Sequence, residues 1–60
     1  MPQIVFEGPC LEKGQKAKLV KEFTDTAAEV TGIPKQAFVV LIKENTPENV
    51  GVGGELLADR

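Results

Sequence analysis

Loss of the initiator Met1 would turn the ring nitrogen of Pro2 from a tertiary amide into a free secondary amine. The amide has no useful basicity, whereas the amine is a base. An α-amino group titrates at about 7.7–8.0. Apolar surroundings without a counter-charge disfavour the cation and bring the value toward the operating pH, where a general base works best. Such a base is useful only if the terminus is held. Gln3-Ile4-Val5-Phe6-Glu7 is short, β-prone and apolar at its middle, and Gly8-Pro9 ends it. It predicts a strand that anchors Pro2. The bland alternative, a proline at the second position with no role, stays open from this position alone.

The other reactive residue types narrow the chemistry. With one cysteine and no histidine, an internal disulfide framework, an ordinary zinc site and any serine or cysteine mechanism that relies on imidazole are excluded. Cys10 lies before a predicted helix start, where a thiol pKa can fall. Without histidine it reads as a small apolar filler. Glu7 and Glu55 read as solvated carboxylates. A net charge of −2 and the lack of a basic stripe interleaved with aromatics argue against nucleic acid. No run approaches the roughly 18 apolar residues of a membrane span, and the first residues lack the regions of a signal peptide. A cytoplasmic protein without a membrane partner is the expectation.

One domain over residues 1–60 must position these groups. From about Leu11 to Thr31, Val20, Phe23, Ala27 and Val30 recur at helical spacing, with Leu19 widening the stripe. Gly32 suits a left-handed C-terminal residue, Ile33 the accompanying apolar contact, and Pro34 blocks continuation. Phe38-Val39-Val40-Leu41-Ile42 is continuously apolar, as in a parallel strand covered on both faces, and Lys43 and Glu44 are read as ending it. The fold class is α+β: a βαβ unit with parallel strands and a right-handed crossover. Gly51-Val52-Gly53-Gly54, preceded by Thr46-Pro47-Glu48-Asn49, predicts a C-terminal glycine-rich hairpin with another subunit as its partner. One helix covers one face of a sheet, two strands are too few for an independent one, and a core this small rarely supplies more than about 3–5 kcal/mol. An obligate homo-oligomer follows.

Charge is ordered along the helix, with Lys13, Lys16, Lys18 and Lys21 in its first half and Glu22, Asp25 and Glu29 in its second. This opposes the macrodipole. It suits either an anion site at the helix start, with Lys13 foremost, or a solvated face with ion pairs such as Lys18 with Glu22.

Pro2, the strand closing in Glu7-Gly8, Gln15-Lys16 opening the helix, Ile33-Pro34 before the second strand, and Gly51-Val52-Gly53-Gly54-Glu55 occur in an order and spacing that resemble the 4-oxalocrotonate tautomerase family over nearly the whole chain. The resemblance implies βαβ protomers joined in pairs into a four-stranded sheet, and a hexamer built as a trimer of dimers. It implies a keto-enol isomerase without cofactor or metal, in which Pro2 is general base and acid on a 2-hydroxydienoate or 2-oxo acid. It also implies arginines on substrate carboxylates and an aromatic beside the amine. Here the chain departs. Gly8 is followed by Pro9, Cys10 and Leu11 rather than arginine, with two extra residues before the helix; Val39 holds the position of the second-strand arginine; and Val50 stands for the aromatic. Lys13 is the nearest replacement cation, though it lacks arginine's bidentate grip. Arg60 is the only arginine. Substrate contact is thus expected at Lys13, Val39 and Val50. The rivals are a Pro2-dependent hydratase, dehalogenase or decarboxylase, and a non-catalytic oligomer that keeps the fold.

Overall fold

The apolar segment after Pro2 and the run after Phe38 pair as the two parallel strands of one sheet. In a computed structural model describing residues 1–60, β1 is Gln3–Gly8, α1 is Lys13–Thr31 and β2 is Val39–Glu44, with Gln3 opposite Val39 and Gly8 opposite Glu44. Short 3-10 turns follow at Lys35–Ala37, Pro47–Asn49 and Leu57–Asp59, and β3 (Gly51–Val52) pairs antiparallel with β4 (Glu55–Leu56).

The helix starts two residues later than its apolar spacing predicts. The N–H of Leu11 donates to Glu44 Oε2 at 2.9 Å, holding that residue on β2 instead of in the first turn. Glu12 stays extended as the N-cap, and its N–H donates to Gln15 Oε1 at 3.0 Å, a capping-box contact. The stop falls where expected: Gly32 has φ 76°, and its N–H donates to the Ala28 carbonyl at 2.9 Å. The predicted stripe is narrower than its spacing suggests. Leu19, Phe23 and Ala27 are half-buried, whereas Val30 is 80% exposed.

The second strand is shifted toward the C-terminus. Phe38 caps the preceding 3-10 turn, its N–H donating to the Lys35 carbonyl. Lys43 and Glu44 do not end the strand but belong to it, because Glu7 and Gly8 pair with them. Alternation then sorts the sheet into two faces. Ile4, Phe6, Val40 and Ile42 are half-buried beneath α1, where the Phe6 and Phe23 rings lie 6.1 Å apart. Val5, Val39 and Leu41 form the other face, with Val5 45% and Leu41 40% exposed.

No residue of the protomer is buried. Its surface of 4640 Å² exceeds the roughly 3,800 Å² of a self-contained monomer of this mass. The radius of gyration is 14.7 Å against about 10 Å for a compact chain of this length. The excess lies partly in the hairpin, whose turn residues Gly53 and Gly54 both have positive φ, the geometry of a tight two-residue loop. Its Val52 and Leu56 are exposed. The chain has the sheet and helix of a domain without the second layer that would give it an interior.

Candidate functional site

Pro2 is tied to the sheet by its own carbonyl, which accepts a hydrogen bond from the Val39 N–H at 3.0 Å. The residue is half-buried, while Met1 projects with 89% of its surface exposed. Cleavage after Met1 would therefore leave an amine fixed at the amino-terminal end of both strands, with half-buried Val39 beside it.

The turn that delivers β2 to this end is held by charge. Lys35 Nζ lies 2.8 Å from Asp25 Oδ1, and Lys21 Nζ lies 2.8 Å from Asp25 Oδ2. Hydrogen bonds from Lys21 and then Lys35 bring the Asp25 carboxyl down to about 2. At the other end, Lys16 Nζ lies 2.8 Å from Glu44 Oε2. That contact, with the Leu11 N–H, lowers the Glu44 carboxyl below its ordinary value. The lysine-rich half of the helix is thus largely committed to ion pairs, including Lys18 with Glu22 at 3.5 Å. Lys13 and Lys43 form none.

The residues expected at the site fall into two groups. Pro2 and Val39 stand together before the strands. Lys13 opens α1 beyond the far end of β1, and six residues of strand at about 3.3 Å each put it roughly 20 Å from Pro2 in the same chain. Val50 belongs to that far end too. It lines a recess of about 410 Å³ with Pro9, Pro47, Leu57, Glu7 and Asn45. Glu7, which the sequence reads as a solvated carboxylate, is indeed exposed at the rim of this recess. A second concavity of about 630 Å³ runs along α1 above β1, with Phe6, Leu11, Leu19 and Phe23 as its apolar lining and Lys18 and Glu22 among its walls. Neither concavity contains Pro2. No cluster of three or more histidine, cysteine or acidic side chains could hold a metal ion.

The family model described as "Tautomerase enzyme" matches residues 3–60. The chain belongs to the tautomerase family. A curated probable tautomerase of Bacillus cereus is 37% identical over 46 residues, which are 77% of this chain and 75% of that one. Among solved structures, DmpI from Archaeoglobus fulgidus is 45% identical, with a TM-score of 0.87 over 97% of this chain and 100% of the other. TomN, described as a 4-oxalocrotonate tautomerase homologue in the tomaymycin biosynthetic pathway, is 32% identical, with a TM-score of 0.91 over 98% of this chain and 92% of its own. The βαβ unit and its C-terminal hairpin are thus the tautomerase fold.

Proposed function

We propose that this tautomerase interconverts the enol and keto forms of a 2-hydroxydienoate or related 2-oxo acid, with Pro2, freed of Met1, taking and returning the proton. The observation that carries the reading is the 3.0 Å hydrogen bond from the Val39 N–H to the Pro2 carbonyl, which ties the residue that would carry the amine to the sheet. The neutral amine accepts the enol proton as the oxygen lone pair becomes a carbonyl and the carbon chain gains electron density. The resulting ammonium then delivers that proton to carbon. Base and acid are one group, and the step needs no redox partner.

Within this reading the site is completed by a second copy of the chain. Antiparallel pairing of two β1 edges about a two-fold axis sets the start of one strand beside the end of the other. It would bring Pro2 of one protomer toward the recess and the Lys13 helix start of its partner. Two features support that edge. The helix backbone approaches β2 more closely than β1, leaving the Phe6, Leu19 and Phe23 groove open on the β1 side. Lys18 and Glu22 border the groove, and a pair of opposite charges on a two-fold surface is self-complementary. Three such dimers, covering Val5, Val39 and Leu41 on the outer sheet face, would make the hexamer.

The test is Pro2→Ala, with Met1 removal verified by intact mass in both proteins. Ketonisation of phenylenolpyruvate should fall at least about tenfold, the low end for losing a positioned general base. Equal rates would remove Pro2 from the mechanism and leave a non-catalytic oligomer as the better account.

A further inference from the structure

The recess at the carboxyl ends of β1 and β2 holds one ionisable side chain, Glu7, among otherwise uncharged walls. Pro9, Pro47, Val50 and Leu57 make most of that lining apolar, and Asn45 supplies an amide. Glu7 Oε1 accepts only a long contact from Asn45 Nδ2, at 3.5 Å. Lys43 is its register neighbour on β2, yet it forms no ion pair with Glu7 and does not line the recess. The volume of about 410 Å³ falls in the lower part of the range of small-ligand pockets, roughly 300–1,000 Å³. The space therefore suits a phenyl or short alkenyl group, against a carboxylate with unused acceptor capacity.

We infer that this recess is a specificity pocket for the uncharged, apolar end of the enol substrate, and that Glu7 turns away a second carboxylate there. The inference rests on the reading in which Pro2 of a neighbouring protomer stands at the recess. Glu7 is exposed at the rim, and two like charges a few ångströms apart repel by about 1 kcal/mol even in a largely aqueous setting. An apolar tail meets no such opposition and gains from leaving water. Glu7 touches neither reacting atom in this scheme; it discriminates at the far end of the substrate.

The experiment compares phenylenolpyruvate, which has one carboxylate, with 2-hydroxymuconate, which has two, in wild type and Glu7→Gln. Glutamine keeps the size of the side chain and an oxygen for Asn45 while removing the charge. The variant should raise kcat/KM for 2-hydroxymuconate about fivefold or more, with phenylenolpyruvate changed less than about twofold. Glu7→Lys should shift the ratio further in the same direction. Calorimetric binding of the unreactive analogues cinnamate and muconate reads the same selectivity without turnover, so the inference stays testable if neither enol is converted. A ratio that does not move in either variant, by rates or by binding, overturns the specificity role. Pro2→Ala tests the underlying function separately. Loss of turnover with a Glu7-independent ratio would retain the base and discard the pocket. Unchanged turnover in Pro2→Ala would discard the base, whatever Glu7 does.

Discussion

The backbone N–H that holds Pro2 belongs to Val39, a residue whose side chain carries no charge, and in the proposed reaction that leaves no cation from this position for a substrate carboxylate. A charge-assisted contact to a carboxylate is worth about 1.5–3 kcal/mol. Lacking it here, the protein should discriminate little in favour of dicarboxylates. Val39→Arg should raise kcat/KM for 2-hydroxymuconate about tenfold more than for phenylenolpyruvate. Val39 is half-buried at the first position of β2, so the variant's assembled mass is to be checked alongside its rates. Strong wild-type selectivity for the dicarboxylate would mean that another cation already fills the role, with Lys13 or Lys43 of a neighbouring chain the first to mutate. At this scale the sequence was informative about the strand that holds Pro2, because the β-prone run of Gln3 to Glu7 and the Gly8-Pro9 stop are local signals. It was uninformative about Glu7, whose surroundings are made by Pro47, Val50 and Leu57, residues far from it in the chain.

At the scale of elements, local signals located the ends that local chemistry controls. Gly32 stops α1 because a left-handed residue is needed there, and Pro34 follows. The opposite end could not be read locally: Leu11 is kept out of the helix by Glu44, 33 positions away. Lys43 and Glu44 look like a strand terminus by polarity, yet their backbone partners on β1 continue the ladder. Glu44 thereby becomes a clasp between β2 and the β1–α1 turn. Replacing it with alanine should speed amide exchange at Leu11 by roughly threefold or more, with little change at Val39. The clasp should also weaken in acid. The folded carboxyl loses its proton more readily than the unfolded one, so the stabilisation is complete above its ordinary value near 4.5 and fades as pH falls through the lower folded value. A Glu44→Gln protein should show a shallower loss of stability below pH 4.5 than wild type. Parallel acid slopes would assign the clasp no energetic role.

For the whole molecule, the decisive fact is the absence of any buried residue in one protomer. The hydrophobic effect stabilises a fold in proportion to the apolar area removed from water, and this chain leaves both the β1-side groove and the outer sheet face wet. Its folding and assembly should consequently be one equilibrium, and the midpoint of thermal unfolding should rise with protein concentration. Light scattering after gel filtration should give several times the mass of one chain at micromolar concentration. Phe23→Glu separates this account from one in which the protomer folds first. Phe23 packs against Phe6 and lines the groove, so a carboxylate there would have to be desolvated at the paired β1 edges, an expensive step without a partner charge. The variant should lose the assembled mass and most of its helical circular dichroism together. Retention of native helix signal in a monomer, with a midpoint independent of concentration, would show that one chain is self-sufficient. The second copy would then be unnecessary to the fold, and the completion of the Pro2 site across the β1 edges would lose its main physical support.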